Sequence, residues 1–228
     1  MTSVSVQVPR HEHPHTAIIP DTMRALSTLL TNTLVTLPRR AILGSAISAM
    51  ALGGTGNAAS AEDQLPKTGG YVQFCNEDTM SQKAHGTSEK PVQKDLRWQV
   101  DGSTADRICN FNRHYAEYAG YWATTSFLKE VDRTGPTVYY DSVTGKPLFV
   151  APIGRTMEAF LAESKTHGWP SFRDEEVVWE NMRVLKSSGE AVSADGTHLG
   201  HNLPDGSGNR YCINLVSVAG RPLGKDEV

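Results

Sequence analysis

Residues Arg210–Val218 read Arg-Tyr-Cys-Ile-Asn-Leu-Val-Ser-Val and form the most strand-like stretch of this 228-residue chain. Their Tyr, Ile, Leu and Val side chains favour a strand because they suit a pleated, half-buried surface. Side chains of a strand alternate between two faces, so Arg210, Cys212 and Asn214 share one face. The opposite face is apolar and is predicted to lie in the core: Tyr211, Ile213 and Leu215. The stretch therefore predicts a strand with a polar face centred on a thiol.

Working outward, the chain predicts further short strands separated by turns that are rich in glycine. They are Tyr71–Phe74, Thr137–Tyr140, Pro147–Ala151, Val177–Trp179 and Met182–Lys186. Residues Gly196–Gly208 carry several glycines and a Pro-Asp-Gly turn, which predicts a loop or a tight hairpin. Short strands with little helix indicate a mainly antiparallel β domain.

Two helical segments are predicted in addition. Residues Met157 to Ser164 form a short helix by their pattern of apolar residues. Tyr115, Tyr118 and Trp122 also fall at helical spacing, so we expect a helix that docks an aromatic stripe on the core.

Composition excludes several classes of function. The net charge is −3, so the chain lacks the basic field that nucleic-acid binding needs. Its three cysteines, Cys75, Cys109 and Cys212, include no Cys-x-x-Cys pair, which excludes a four-cysteine zinc site. An odd number of cysteines cannot form a closed disulfide framework, so one thiol is left over.

The first 61 residues resemble a targeting segment. Residues 1–38 are rich in Ser, Thr and Pro, and Arg39-Arg40 then precedes a mild apolar run from Ala41 to Gly54. Ala59-Ser60-Ala61 supplies an end of the kind that signal peptidases cleave. The run is shorter than the roughly 20 residues of a membrane span, so none is expected. A transit region followed by a twin-arginine signal predicts a plastid protein of the thylakoid lumen, with twin-arginine export to a bacterial periplasm as the alternative.

Cys212 has groups near it in sequence that could support thiol chemistry. His198 and His201 precede it, and histidine is the side chain best able to exchange protons near neutral pH. A cation beside a thiol favours the nucleophilic thiolate. These spacings alone leave three interpretations open: a redox thiol, a Cys/His/Asn hydrolase, or a small buried cysteine beside two surface histidines.

An ordered set of motifs resembles the B-type methionine sulfoxide reductases, which reduce methionine R-sulfoxide. The resemblance covers roughly residues 108–221, and it rests on the following stretches: Gly145-Lys146-Pro147-Leu148-Phe149, Gly168-Trp169-Pro170-Ser171-Phe172, His198-Leu199-Gly200-His201, Pro204-Asp205-Gly206 and Arg210-Tyr211-Cys212-Ile213-Asn214. It implies a fold of two antiparallel sheets with short N-terminal helices. We also expect the protein to be a monomer.

The resemblance also implies roles for individual residues. Cys212 would be the nucleophile, while His198 and His201 would bind and protonate the sulfoxide oxygen, with His201 as the acid. Asn214 would position that oxygen or its water. A sulfoxide oxygen leaves only once it is protonated, and attack leaves a sulfenic acid that a second thiol must clear.

Three more residues would bind the substrate or support the thiol. Trp169 would contact the methyl group of the substrate, since contacts between sulfur and aromatic rings are favourable. Phe172 would belong to the same binding wall, and Arg210 would support the thiolate of Cys212.

The chain departs from the family pattern in two places. Where many members hold zinc with two Cys-x-x-Cys pairs, it has Asp141, Thr144, Val192 and Asp195, so we expect no metal and no other cofactor. Where some members keep a resolving cysteine just before the Gly-Trp-Pro-Ser-Phe motif, it has His167. The resolving thiol would then be Cys109, Cys75 or that of an outside reductant.

These expectations combine into one organisation. Residues 1–61 are a presequence that is removed, 62–106 are an irregular polar arm, and 107–228 are the reductase domain. The predicted partners are oxidised proteins that carry methionine R-sulfoxide and a thioredoxin-like reductant that donates electrons. The competing functions are a Cys/His/Asn hydrolase and a catalytically weak module that binds oxidised methionine.

Overall fold

A computed structural model describes residues 65–224, so the predicted presequence, residues 1–61, lies outside the described residues. Residues 65–224 contain eight strands, which are short and arranged in two sheets. They are β1 (Phe74–Cys75), β2 (Thr137–Tyr140), β3 (Pro147–Ala151), β4 (Ser171–Phe172), β5 (Met182–Leu185), β6 (Glu190–Ser193), β7 (His198–Asn202) and β8 (Tyr211–Ile213). The chain is thus mostly strands in two sheets with a few short helices.

The larger sheet has six strands in the order β1-β5-β6-β7-β8-β4, and β2 and β3 form the second sheet by themselves. Strands β5 to β8 follow one another as antiparallel neighbours, whereas β1 runs parallel to β5. The predicted mainly antiparallel pairing is thus observed, whereas the two antiparallel sheets that the resemblance implies differ at one edge, where β1 is parallel. Strand β1 comes from the arm far upstream of β5, so no hairpin dictates its direction.

The described helices are short, apart from one. They are α1 (Gly102–Asp106, continued by a π-helical turn over Arg107–Phe111), α2 (Tyr121–Thr124), α3 (Phe127–Glu130) and α4 (Met157–His167). At the start of α4, the hydroxyl of Thr156 accepts a hydrogen bond from the backbone N–H of Ala159 at 3.2 Å. The helix ends at Gly168, whose φ of 90° suits glycine, and the chain turns there into the Trp169 motif. Residues 65–224 have no helix whose length and apolarity would suit a membrane crossing.

The predicted helix through Tyr115, Tyr118 and Trp122 is wrong. Residues 112–120 form neither helix nor strand, and Gly120 takes a left-handed φ of 85° just before α2 begins. Tyr115 and Tyr118 are exposed, and of the three aromatic residues only Trp122 is buried. The helical spacing was therefore coincidental, and the segment lies on the surface as an irregular stretch.

Three strand boundaries also differ from expectation. Strand β7 lies inside the segment Gly196–Gly208, which was predicted as a loop or a tight hairpin, and only the residues before His198 and after Asn202 are loop. The predicted strand Arg210–Val218 stops at Ile213, and a 3₁₀ turn over Leu215–Ser217 follows it. Val177–Trp179 is not a strand, since only Val177 pairs with another strand, through a single bridge to Phe149.

The core lies between the two sheets and α4 and is rich in aromatic rings. Phe149 of β3 stacks on Phe172 of β4 with ring centroids 4.2 Å apart, and Tyr139 and Phe160 pack against Phe172 from either side. All four side chains are fully buried. This cluster fixes β4, and therefore the strand β8 beside it, against the second sheet.

Residues 65–106 carry little regular structure but are not a loose tail. Met80 and Trp98 of this stretch are buried, and Arg97 donates hydrogen bonds to the backbone carbonyls of Val138 and Val218. The described part of the predicted arm is thus packed on the β domain. The predicted division of the chain at residues 61 and 106 stays a prediction.

Candidate active site

Five of the residues singled out from the sequence line one cleft of about 350 Å³. They are Trp169, His198, His201, Cys212 and Asn214. Arg113, His114, Tyr115 and Ala116 of the irregular segment, with Gly200 and Leu203, complete the lining. Residues that are distant in sequence therefore converge on the thiol of Cys212.

A β-bulge in β7 brings both histidines to the same face of the sheet. Strand β6 pairs Glu190 with His201 and Val192 with His198, so Leu199 is an extra residue in β7. In a regular strand without a bulge, positions three apart would point to opposite faces. Cys212 is the partner of His201 on the next strand, which places the thiol and this imidazole side by side.

Gly200 makes the close pairing of β7 with β8 possible. A Cβ atom at this position would lie 2.0 Å from the backbone oxygen of Cys212. The φ of 156° at Gly200 is also one that residues with a side chain rarely adopt. Only glycine therefore fits at the third position of the His198-Leu199-Gly200-His201 motif.

His198 is held by a buried chain of charged groups. Its Nδ1 atom lies 2.7 Å from Oε1 of Glu190, and both residues are buried. Arg113 donates to the same carboxylate through Nε at 3.0 Å and through Nη2 at 2.6 Å. Although burial opposes ionisation of Glu190, the hydrogen bonds from His198 and Arg113 lower its pKa. A carboxylate on Nδ1 fixes the ring orientation and leaves Nε2 for the cleft.

His201 lies in a different electrostatic environment. It is half-buried beside Cys212, and its ring centroid is 6.1 Å from that of His198. Burial lowers the pKa of His201, and the neighbouring charge of His198 acts in the same direction. Its resting form at neutral pH is therefore the neutral imidazole, which can accept a proton or a hydrogen bond.

The thiol of Cys212 has a cation beside it. Arg210 donates from Nη1 to the sulfur at 3.2 Å, and the rest of its guanidinium pairs with Asp205 at 3.3 Å. The Arg210 side chain is itself buried, so its charge is little screened. A guanidinium at this distance stabilises negative charge on the sulfur.

Hydrogen bonds fix the side chains of Asn214 and Trp169, which both line the cleft. Asn214 donates from Nδ2 to the carbonyl of Leu199 at 3.0 Å and accepts from the backbone N–H of Glu117 at 3.1 Å. Trp169 donates its indole N–H to the carbonyl of Glu117 at 3.0 Å. Both side chains are therefore oriented by the same residue of the irregular segment.

Not every predicted site residue reaches the cleft. Phe172 lies in the aromatic core and is not among the residues that line the cleft. It supports the site indirectly, because its strand β4 pairs Ser171 with Cys212 and Phe172 with Tyr211.

The two candidate resolving cysteines also lie outside the cleft lining. Cys109 is fully buried in the π-helical turn, and its thiol donates to Oγ of Ser217 at 3.5 Å. Burial raises the pKa of the Cys109 thiol, despite the hydrogen bond to Ser217. Cys75 lies on the edge strand β1 and is partly exposed. All three cysteines are free thiols in this structure.

The four residues that stand in place of the family's zinc ligands in the prediction make contacts within the protein. Buried Asp141 accepts hydrogen bonds from Thr144 at 2.9 Å and from Thr197 at 3.0 Å, and burial raises its pKa. Asp195 pairs with Lys146 at 2.9 Å, while Val192 lies in the core. Direct contacts thus join the β2–β3 turn to the β6–β7 turn. That the chain holds no zinc stays a prediction.

One other cluster, found in residues 65–224, has ligand atoms at the spacing that a metal would need. Glu163, His167 and Asp205 offer such atoms within 4.8 Å of one another. Both carboxylates already pair with guanidinium groups, Glu163 with Arg155 and Arg173, and Asp205 with Arg173. The cluster is therefore part of an ion-pair network, and nothing in its chemistry calls for a cation.

Sequence reasoning missed the residues that support the site. Arg113 and Glu190 hold His198, and Glu117 orients Asn214 and Trp169. A glutamate inside the strand Glu190–Ser193 was the available signal, since a strand that is otherwise buried rarely holds an unpaired carboxylate. Nothing comparable marked Arg113 or Glu117.

No family model matches this chain.

Proposed function

We propose that this chain is a methionine sulfoxide reductase of the B type, with the two-sheet fold of that family. The observation that carries the proposal is the thiol of Cys212 at 3.2 Å from Nη1 of Arg210, in a cleft that two histidines, an asparagine and a tryptophan also line. A nucleophilic sulfur, proton-carrying groups and an aromatic wall are what reduction of a sulfoxide requires.

The reaction would proceed by attack of the Cys212 sulfur on the sulfur of the sulfoxide. This attack forms a bond between the two sulfurs, and the oxygen, once protonated, leaves the substrate sulfur as water. Water then adds to the Cys212 sulfur as the bond between the two sulfurs breaks, which gives the sulfenic acid and releases the thioether. The substrate sulfur is reduced by two electrons and the cysteine sulfur is oxidised by two. A proton must reach the oxygen as the bond between the substrate sulfur and oxygen breaks, and His198 and His201 are the groups placed to supply it.

Their surroundings divide the work between the two histidines. His198 carries a buried carboxylate on Nδ1, which compensates for positive charge on its ring. His201 is the neutral partner beside the thiol, because burial lowers its pKa. We therefore propose His198 as the acid that protonates the oxygen and His201 as the group that first takes the thiol proton. This reverses the assignment that the family resemblance implied.

Clearing the sulfenic acid needs a second thiol. Cys109 is fully buried and Cys75 lies on the far edge strand, so a disulfide of either with Cys212 requires the chain to move. Treating the protein with one equivalent of substrate and no reductant, followed by peptide mapping, identifies the partner. A Cys109–Cys212 or Cys75–Cys212 disulfide identifies the resolving thiol. If neither disulfide forms, an external thiol attacks the sulfenic acid directly.

The decisive experiment uses the full chain with the separated R and S epimers of N-acetyl-methionine sulfoxide and dithiothreitol. We expect the R epimer alone to be converted to N-acetylmethionine, and Cys212→Ser to stop the conversion. Consumption of the S epimer, or of neither, contradicts the proposal. Parallel incubation with ester substrates separates it from a cysteine hydrolase, which would release an alcohol and need no dithiol.

A further inference from the structure

Glu117 is the one buried residue in an otherwise exposed or half-buried stretch from Phe111 to Ala119. Its side chain and backbone are 3% exposed, whereas Tyr115 and Tyr118 nearby are largely exposed. The stretch forms one wall of the cleft through Arg113 to Ala116. Glu117 is thus one point at which this wall attaches to the β domain, and Arg113, which binds Glu190 of β6, is another.

Every polar group of Glu117 contacts the active site or the turn that follows it. The carboxylate accepts hydrogen bonds from the backbone N–H groups of Leu215 at 2.9 Å and Val216 at 3.1 Å. Its backbone N–H donates to Oδ1 of Asn214, and its carbonyl accepts from the indole of Trp169. We call this set of four contacts the Glu117 anchor.

The carboxylate lacks a cationic partner within residues 65–224. Burial raises the pKa of Glu117 to about 7, although the two backbone hydrogen bonds act against the shift. The titratable groups that sense its charge are Tyr121 of α2 and Cys109 of the π-helical turn, both weak acids. A buried carboxylate without a cation costs free energy that an apolar residue of this size would not.

We infer that Glu117 is a positioning residue that sets Trp169 and Asn214 at their places around the Cys212 thiol. This inference rests on the proposed function for its kinetic consequence, but not for the contacts themselves. The anchor ties the indole that would contact the substrate methyl group and the amide that would contact its oxygen to one backbone unit. Loss of the carboxylate contacts would free that unit and both side chains together.

The kinetic test compares Glu117→Gln with the control Glu158→Gln, which alters an exposed glutamate of α4. Glutamine keeps the shape of the side chain but has one acceptor oxygen. The backbone N–H of Leu215 or of Val216 would then face the NH2 group of the glutamine, which is also a donor. We expect the KM for N-acetyl-methionine R-sulfoxide to rise about tenfold, the scale of one lost buried hydrogen bond. The rate of Cys212 alkylation by iodoacetamide should not change. A folded Gln variant with native KM overturns the inference.

A measurement on the native protein covers the case in which the Gln variant does not fold. The indole N–H signal of Trp169, assigned by its loss in Trp169→Phe, should shift with pH together with the amide signals of Leu215 and Val216. All three should share one midpoint near 7, and in a folded Glu117→Gln variant this shared shift should be lost. The indole signal of the variant should keep only the part of its shift that comes from other groups in the cleft that Trp169 lines. Signals that titrate separately or not at all overturn the anchor.

The two proposals fail in distinguishable ways. A shared titration in a protein that reduces no sulfoxide supports the anchor and refutes the reductase. Sulfoxide reduction without the shared titration refutes the anchor and leaves the reductase standing.

Discussion

Cys212 and Cys109 are two thiols of one small domain with opposite surroundings. Cys212 is partly exposed in a cleft, with a guanidinium at 3.2 Å from its sulfur. Cys109 is fully buried, its polar contact is a serine hydroxyl, and burial raises its pKa. The difference shows that reactivity belongs to the environment and not to the residue type, because a buried thiol without a cation stays protonated and inert.

The largest effect on activity is expected when each of the two cysteines is replaced by serine. Cys212→Ser should lower sulfoxide reduction at least about 10³-fold, the scale on which a lost nucleophile acts. Cys109→Ser should keep a full first turnover, because its sulfur does not touch the cleft. Single-turnover assays with stoichiometric substrate measure both. Equal loss in the two variants would show that the thiols are not functionally distinct.

A smaller loss should follow when His198 loses its carboxylate. Glu190→Gln removes the charge that orients the ring, and kcat should fall about 10²-fold, within the range of general acid catalysis. The matched control is Glu77→Gln, since Glu77 also binds Arg113, at 2.8 Å, but lies on the surface. If the two variants have the same kcat, then the contact between Glu190 and His198 plays no part.

The guanidinium beside Cys212 should affect the thiol more weakly still. Arg210→Lys keeps a positive charge but loses the planar fork that reaches both the sulfur and Asp205. Alkylation of Cys212 by iodoacetamide near pH 7 should slow about threefold to tenfold, which is roughly 1 kcal/mol of interaction. Cys109 should stay unlabelled throughout. Faster alkylation in the Lys variant would contradict a supporting role for Arg210.

A separate test, on stability and not on activity, compares the two buried acids, Cys109 and Glu117. Glu117 has a pKa of about 7 in the folded chain against an ordinary value of 4.5, so the folded state holds the proton more tightly. Stability from this group is therefore complete below about pH 4.5 and is lost as pH rises toward 7, with a slope of about 1.4 kcal/mol per pH unit. Cys109 contributes no slope in this window.

Urea unfolding of the native chain and of Glu117→Gln between pH 5 and 8 measures that slope. The difference in unfolding free energy between the two proteins should shift in favour of the Gln variant from pH 5 to 7 and then level off. Parallel curves would show that Glu117 titrates normally.

The sequence predicted those parts of the fold that depend on local pattern. Strands Thr137–Tyr140 and Pro147–Ala151 are confirmed at both ends, because β-branched and aromatic residues flank a clear turn. The helix from Met157 is confirmed at its start, where Thr156 caps it, and runs three residues beyond Ser164 to His167. The strand Arg210–Val218 was predicted too long, since alternation cannot show that backbone N–H groups of the 3₁₀ turn after Asn214 donate to the Glu117 carboxylate.

Other features depend on contacts that are distant in sequence. The glycines of Gly196–Gly208 indicated a loop, yet Gly200 belongs to a strand because only glycine can approach the backbone of Cys212 so closely. Five of the predicted site residues, Trp169, His198, His201, Cys212 and Asn214, line one cleft, while their roles stay a prediction. The roles of Arg113, Glu117 and Glu190 could not be read from spacing, since their partners lie 52 to 99 residues away or across a strand pair.

The extra residue in β7 has a consequence for how this site could change over time. Because Leu199 is accommodated as a bulge, the two histidines point to the same face although they are three positions apart. The strand thus keeps its register with β6 in spite of the extra residue. Deleting Leu199 would leave the two histidines two positions apart and on one face of a regular strand, whereas a regular pairing that kept Leu199 would turn one imidazole to the opposite face and away from Glu190. Substitutions at this position should be tolerated if they stay apolar, because Leu199 is buried. The face that each histidine occupies thus depends on the bulge as much as on the identity of the residues in the motif.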